Sequence, residues 1–334
     1  MLMLDSHIYQ GANMHFFEIE SLRTHFISDL FLLILLAAQV FSQVQPAGLG
    51  EQTYRINGID LYTKTIGNGR PIIVLHGGPG LDHSYLLPQM GKLSDNYKLI
   101  FYDQRASGRS TGNIDTASIT IHQFVDDLEG LRKALMLEKM DLFGHSWGGF
   151  LAMEYAIAYP QRVNSIVLAC PMGADSNWVL PFLQVRTVRT THDDTVALAR
   201  LFATQEFAEQ DPKIIAEYIR LLYKAYFYNR SLADSLTITF TQRTASDIFP
   251  IFTIFFRQLQ RYDIRPQIAV LTCPTLIIHG DYDPILPQYA EDIHASIKGS
   301  QYVLLKNCGH FPFVESPEEF IKACTDFWSA AVKN

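Results

Sequence analysis

The chain has 334 residues, of which 48% are hydrophobic and 18% are charged, and it contains 20 glycines and 15 prolines. This length and composition exclude disordered, collagen-like and low-complexity proteins, and they allow one large globular domain or two smaller ones. The formal net charge of −7 and the lack of any basic run in the sequence give no reason to expect a nucleic-acid partner.

The N-terminal segment contains nine consecutive apolar residues at positions 30–38. A membrane span needs about 20 apolar residues, so this run fits the core of a signal peptide better than a transmembrane helix. We predict a signal peptide over residues 1–42, export of the mature chain to the periplasm or the medium, and no stable membrane span in that chain. Met14 is an alternative start. The alternative to a signal is a buried N-terminal helix, which would leave the protein in the cytoplasm.

From residue 52 the sequence alternates between strand and helix patterns. Short apolar runs at 71–75 and 98–102 end in turn-forming residues, which is typical of strands buried on both faces of a parallel sheet. Thr120 and Gln123 have the form of a capping box, and apolar residues follow at helical spacing. The next predicted elements are a strand at 140–143, a helix at 148–158 and a strand at 165–169. This order predicts an α/β fold with a mostly parallel central sheet flanked by helices.

Strand patterns are missing from residue 174 to residue 262, where amphipathic stretches such as 214–228 predict helices. We therefore predict an inserted helical cap over residues 174–262 (the cap segment) and an α/β core formed by residues 52–173 and 263–334. The core resumes with predicted strands at 275–279 and 302–306 and closes with a helix that begins at Pro317, after Ser316 as its N-cap.

Residues 144–149, with the sequence GHSWGG, follow a predicted strand and open a predicted helix. The G-x-S-x-G pattern in this context predicts a nucleophile elbow, a strained turn that lifts a serine hydroxyl above the sheet. Ser146 is therefore the candidate nucleophile. The alternative is a serine in an ordinary glycine-rich turn.

A serine hydroxyl needs a base, and an imidazole base works best when a carboxylate orients it. Both groups follow predicted strands downstream, with His310 in the sequence NCGHFP and Asp283 in the sequence GDYDP. We predict His310 as the base and Asp283 as its acid, in the chain order expected of an α/β-hydrolase fold. Asp281 competes with Asp283 for that role, and both carboxylates could instead be solvated.

The sequence HGGPG at 76–80 follows the strand at 71–75 and can turn backbone N–H groups toward a developing oxyanion. We predict Gly78 and the amide of Trp147 as the oxyanion hole. The loop 103–110, DQRASGRS, is interpreted as structural, with substrate binding as the alternative.

Cofactor motifs are missing from the sequence. The glycine-rich segments lack both nucleotide-binding patterns, and no H-E-x-x-H sequence or Cys/His cluster points to a metal. We predict no cofactor and no metal. The widely spaced cysteines are interpreted as mostly buried thiols without a disulfide framework; they are Cys170, Cys273, Cys308 and Cys324.

From residue 52 onward the chain resembles the α/β-hydrolase superfamily and, within it, the prolyl aminopeptidase (proline iminopeptidase) family of serine peptidases. The closer resemblance is carried by HGGPG at 76–80, DQRASGRS at 103–110 and GHSWGG at 144–149. It implies that Ser146 is acylated, that His310 transfers protons and that an N-terminal residue, often proline, is released from a short peptide.

The chain departs from this family at His145 and Ala106, where the family more often has glycine. The family's cap usually supplies glutamates for the substrate amine near a Trp-x-x-Trp-Glu sequence, whereas this cap has only Trp178. The acids available in this cap are Glu206, Glu209, Glu217, Asp234 and Asp247. Three functions therefore stay open, with a small peptide or a small acyl compound as substrate: an aminopeptidase, a carboxylesterase or similar small-molecule hydrolase, and a non-catalytic binding protein.

Overall fold

The computed structural model describes residues 50–331, and these residues contain one eight-stranded sheet with the order β1-β2-β4-β3-β5-β6-β7-β8. The pairs β1–β2 and β2–β4 are antiparallel, and the remaining neighbours are parallel. The strands are β1 (Gly50–Ile56), β2 (Ile59–Ile66), β3 (Arg70–Leu75), β4 (Tyr97–Tyr102), β5 (Met140–His145), β6 (Val163–Ala169), β7 (Thr275–Gly280) and β8 (Gln301–Leu305). The predicted fold class, a mostly parallel α/β-hydrolase sheet flanked by helices, is confirmed.

Helices connect the parallel strands. Those of the described residues are α1 (Leu87–Met90), α2 (Ile121–Ala134), α3 (Trp147–Ala158), α4 (Val179–Arg189), α5 (His192–Phe202), α6 (Gln205–Ala208), α7 (Pro212–Tyr223), α8 (Gln242–Gln258), α9 (Arg265–Ile268), α10 (Pro287–Ser296), α11 (Pro312–Glu315) and α12 (Pro317–Ala331). Thr120 caps α2, because its side chain accepts a hydrogen bond from the backbone N–H of Gln123.

The antiparallel hairpin β1–β2 was not predicted as such. Its turn is Asn57-Gly58, with φ values of 47° and 81°, and Ile56 pairs with Ile59 across it. An Asn-Gly pair between two extended runs is a strong local hairpin signal, because both turn residues must adopt positive φ. The hairpin extends the sheet at one edge, away from the strands that carry the candidate site.

The central strands are buried on both faces, as their continuous apolar runs predict. The side chains of Ile72, Ile73, Val74 and Leu75 in β3 are all fully buried. Residues of β3 pair in parallel with both β4 and β5. The carboxyl ends of β3, β5 and β7 therefore open on the same edge of the sheet, where ligand sites of such folds form.

Between β6 and β7 the described chain adds no further strand to the sheet, and α4 to α8 lie within the predicted cap segment. Within residues 50–331 no helix combines the length and the apolar character needed to cross a bilayer. All four cysteines are free thiols, and Cys273 is half-buried whereas the other three are buried. The predicted signal peptide at 1–42 lies outside the described residues.

Candidate functional site

The candidate nucleophile lies in a strained turn between β5 and α3. Ser146 has φ 55° and ψ −118°, a conformation that a non-glycine residue adopts only when its surroundings enforce it. Its backbone N–H donates to the carbonyl of Ala169 at 3.0 Å, and its carbonyl accepts from Gly149 at 3.0 Å. Hydrogen bonds on both sides of the residue thus hold the strained turn in place.

The glycines around Ser146 are required by close approach. A Cβ atom on Gly148 would lie 2.2 Å from the carbonyl oxygen of Leu75, and one on Gly144 would lie 2.3 Å from the carbonyl oxygen of Gly148. The start of α3 therefore contacts β3 directly, and this contact brings the turn beside the HGGPG loop.

Asp283 and His310 form a buried pair on the loops after β7 and β8. His310 Nδ1 lies 2.8 Å from Asp283 Oδ2, and Asp283 Oδ1 accepts from the backbone N–H of Ile285 at 2.7 Å. Burial alone would raise the pKa of Asp283, but the charges of His310 and His279 and its hydrogen bonds outweigh burial and keep that pKa below its usual value. An ionised carboxylate in this position orients the imidazole and stabilises its protonated form.

Asp281, the alternative acid, forms an ion pair with a lysine and not with His310. Its side chain is 28% exposed, and its carboxylate faces Lys306 Nζ at 3.6 Å. The structure thus brings Asp283, rather than Asp281, to the imidazole of His310.

The two predicted oxyanion donors belong to residues that line the same cavity as Ser146. Gly78 adopts φ 47° and lines the same cavity as Ser146 and Trp147. Trp147 is the first residue of α3, where backbone N–H groups have no partner within the helix. The Trp147 indole is fixed separately, because Nε1 donates to Gln104 Oε1 at 2.6 Å.

A buried hydrogen-bond chain connects the HGGPG loop with the His310 loop. The Tyr85 hydroxyl accepts from the backbone N–H of Gly77 at 2.6 Å and lies 2.7 Å from His145 Nδ1. His145 Nε2 in turn lies 2.8 Å from the carbonyl oxygen of His310. Burial lowers the pKa of His145 to about 3, so the neutral ring accepts from Tyr85 and donates to His310. The sequence identified His145 only as a departure from the family, and no local signal indicated Tyr85.

The loop 103–110 is held by buried ion pairs and hydrogen bonds, one of which reaches the HGGPG loop. Arg105 forms a two-pronged ion pair with Asp127, at 2.9 and 2.7 Å, and Asp103 accepts from the backbone N–H of Arg109 at 2.8 Å. The side-chain amide of Gln104 donates to the carbonyl of His76 at 2.8 Å. None of residues 103–110 lines the cavity at Ser146, which favours the structural interpretation of this loop.

A cavity of about 600 Å³ opens over Ser146 and His310, between the core and the helices of the cap segment. The cap segment contacts the His310 loop directly, because the carbonyl of Tyr226 accepts from the His310 N–H at 2.9 Å. Aromatic rings dominate the cavity wall: Tyr85, Trp147, Trp178, Phe182, Tyr218, Tyr223, Tyr226, Phe249, Phe252, Phe255, Phe256 and Phe311. Such a wall favours an apolar substrate group.

A sequence model of the alpha/beta hydrolase fold family matches residues 70–317. The chain belongs to this family. A proline iminopeptidase of Saccharolobus solfataricus is 28% identical over 284 residues, which are 82% of this chain and 90% of that protein. A proline iminopeptidase of Lactobacillus acidophilus is 30% identical over 268 residues, or 75% of this chain and 87% of that protein. The resemblance to the proline iminopeptidase family is confirmed.

The fold of this α/β hydrolase is shared with solved structures. A meta-cleavage product hydrolase from Pseudomonas fluorescens superposes with a TM-score of 0.65 at 23% identity, covering 84% of this chain and 98% of that one. At this identity the likeness concerns the fold alone.

The cap acids of this α/β hydrolase do not reach the cavity. Among the described residues that line it there is no aspartate or glutamate, so none of the five cap acids named above contributes to its wall. Glu217, for example, is exposed, and Asp247 pairs with Arg243 at 3.2 Å. The part of the cavity wall that the structure describes therefore offers no carboxylate to a substrate amine.

A thiol lies beside the acid–base pair. Ligand atoms of Cys170, Asp283 and His310 lie within 4.8 Å of one another. Burial raises the pKa of the Cys170 thiol well above its usual value, whereas a metal ligand would have to be the thiolate. Asp283 and His310 are already hydrogen-bonded to each other, so this cluster suits proton transfer better than metal binding.

Proposed function

We propose that this α/β hydrolase is a serine hydrolase that forms an acyl-enzyme on Ser146. The observation that carries the proposal is the buried pair of Asp283 and His310, 2.8 Å apart, with His310 and Ser146 on the wall of one cavity. A carboxylate at Nδ1 leaves the Nε2 atom of the imidazole to act as the base.

In the proposed reaction, the hydroxyl oxygen of Ser146 attacks the substrate carbonyl while His310 takes the hydroxyl proton. The oxyanion is held by the backbone N–H groups of Gly78 and Trp147. Collapse expels the leaving group, which receives the proton from His310, and the acyl group stays on Ser146. Water then attacks the acyl-enzyme with His310 again as the base, which releases the acid and restores the serine.

The relatives favour release of an N-terminal proline or similar small residue from short peptides. Several relatives named proline iminopeptidase align over most of this chain, and an aromatic cavity suits a pyrrolidine ring. On this proposal the cap segment restricts entry to the end of a peptide.

The cavity wall favours a second function, hydrolysis of carboxylic esters. A protonated α-amine buried in an apolar cavity without a carboxylate partner costs several kcal/mol, and the described wall contains no carboxylate. An ester with an uncharged acyl group avoids that cost.

A comparison of three substrates distinguishes the two functions. We would measure kcat/KM for a proline arylamide with a free amine, for its N-acetylated form and for a short-chain aryl ester, each with wild type and Ser146→Ala. Preference for the free amine identifies an aminopeptidase, and indifference to acetylation with intact ester turnover identifies an esterase. Turnover that survives Ser146→Ala would refute the serine mechanism.

Export of the mature chain after removal of residues 1–42 is also proposed. N-terminal sequencing of protein from its native host tests it, because a mature chain that retains residues 1–42 contradicts cleavage.

A further inference from the structure

The described part of the cavity wall contains very few charged side chains. Apart from histidines, Arg186 is the one charged side chain among the described residues that line the cavity. Arg186 lies near the end of α4, in the cap segment, and is half-buried. Although the net charge of the chain is −7, the described residues of the wall thus present a cation and no carboxylate.

Among the described residues Arg186 has no acidic partner, whereas Arg230 and Arg243 of the cap segment each have one. Among residues 50–331 no carboxylate oxygen lies within 4.0 Å of its guanidinium. Arg230, by comparison, pairs with Asp194. Arg189, one turn further along α4, stacks on Tyr282 at 3.6 Å and donates to its carbonyl at 2.6 Å. Arg186 is therefore the guanidinium of α4 that is available to a ligand.

Arg186 also lies close to the reacting groups. Its guanidinium carbon is 5.9 Å from the ring centre of Phe182. Burial raises the pKa of Tyr226 to about 12, and the nearby charge of Arg186 opposes this increase. The Tyr226 ring centre is 5.5 Å from that of His310. One aromatic ring thus separates the cation from the candidate base.

We propose that Arg186 forms an anion subsite and that the substrate carries a carboxylate in addition to an apolar body. The inference rests on the proposed serine hydrolase function and specifies its substrate class. A guanidinium binds a carboxylate through paired charge-assisted hydrogen bonds, which the surrounding apolar wall strengthens. The same guanidinium repels a protonated amine. The carboxylate belongs either to the acyl part, as in a half-ester of a dicarboxylic acid, or to the leaving group, as in a dipeptide.

Matched substrate pairs test the subsite on both sides of the scissile bond. For the acyl side, 4-nitrophenyl half-esters of adipate, pimelate and suberate are compared with the neutral esters of equal chain length. For the leaving-group side, prolylalanine is compared with prolylalaninamide. We expect kcat/KM to favour the carboxylate member of one series by about 10- to 100-fold, the range of a hydrogen bond to a charged group.

Variants then assign the preference to Arg186. The ratio within each pair is measured in Arg186→Met and in Arg200→Met, which removes the same charge from an exposed position of the cap segment outside the cavity wall. The proposal requires the ratio to fall toward one in Arg186→Met, to recover partly in Arg186→Lys and to stay high in Arg200→Met. A ratio near one in wild type for both series, or a high ratio that survives Arg186→Met, overturns the subsite.

Binding measurements separate failure of the subsite from failure of the proposed function. Calorimetric titration of Ser146→Ala with the intact half-esters and the dipeptide gives Kd without turnover. Tighter binding of the carboxylate members that depends on Arg186 supports the subsite even if wild type hydrolyses none of the substrates, in which case only the hydrolase proposal fails. Equal Kd within each pair overturns the subsite even if Ser146-dependent hydrolysis is observed.

Discussion

The hydrogen-bond chain through Tyr85 makes a quantitative prediction. Tyr85→Phe removes one oxygen atom and leaves two buried groups without their partner, the N–H of Gly77 and Nδ1 of His145. Each unsatisfied buried group costs about 1–3 kcal/mol. We therefore expect the free energy of unfolding to fall by about 2–6 kcal/mol, with an unchanged urea m value because the loss is in the native state.

The same substitution should slow catalysis. Gly77 precedes the predicted oxyanion donor Gly78, so a loosened Gly77 amide shifts that donor. Loss of an entire oxyanion donor costs about 100- to 1000-fold in kcat, and a displaced one should cost about 10-fold, with KM little changed. Urea denaturation followed by fluorescence and steady-state kinetics on an aryl ester measure the two effects.

Tyr102→Phe is the matched control. Tyr102 is also buried, but among the described residues its hydroxyl has no hydrogen-bond partner. Its removal should leave stability unchanged or raise it by up to about 1 kcal/mol. If Tyr85→Phe proved no more destabilising than Tyr102→Phe and left kcat intact, the hydrogen-bond chain would have no role in holding the two loops together.

Three further predictions concern Asp283, His145 and Arg105. Asp283→Asn should lower kcat by about 1000- to 10,000-fold, because the imidazole loses its orienting charge, whereas Asp281→Asn should change it less than threefold; equal losses in steady-state assays would contradict the assignment. The pKa of His145 falls from 6.5 to about 3 on folding. As the pH drops, His145 therefore takes up a proton in the unfolded chain before it does so in the folded one. The free energy of unfolding should fall by about 2 kcal/mol between pH 7 and pH 5 because of this residue. Urea titrations at both pH values should show that loss reduced in His145→Gln, and an unchanged loss would refute a neutral His145. Arg105→Met should destabilise by about 3–5 kcal/mol, because it leaves Asp127 as a buried unpaired charge; thermal unfolding that recovers in the double variant Arg105→Met/Asp127→Leu checks this cause, and no loss in the single variant would contradict it.

The sequence alone was sufficient for features that depend on short stretches of chain. The G-x-S-x-G turn at Ser146 and the continuous apolar strands on either side of it are local patterns, and both occur where they were predicted. The hairpin turn at Asn57 and Gly58 was equally local, so it was predictable from the sequence although it was not predicted. The proximity of Asp283 to His310 followed from strand order, since loops after parallel strands meet at one edge of the sheet.

Only the tertiary structure decided which side chains from distant parts of the chain meet. The choice of Asp283 over Asp281 depends on how the loop after β7 turns toward His310, and residues two apart in a loop carry no periodicity that could show it. The Tyr85–His145 hydrogen bond joins residues 60 positions apart, and the unpaired Arg186 is visible only once the cap helices are packed over the sheet. Local propensity sets the elements, but the charge and shape of the cavity arise from contacts between them, because helix-face residues have the same local pattern whether they face a cavity or solvent.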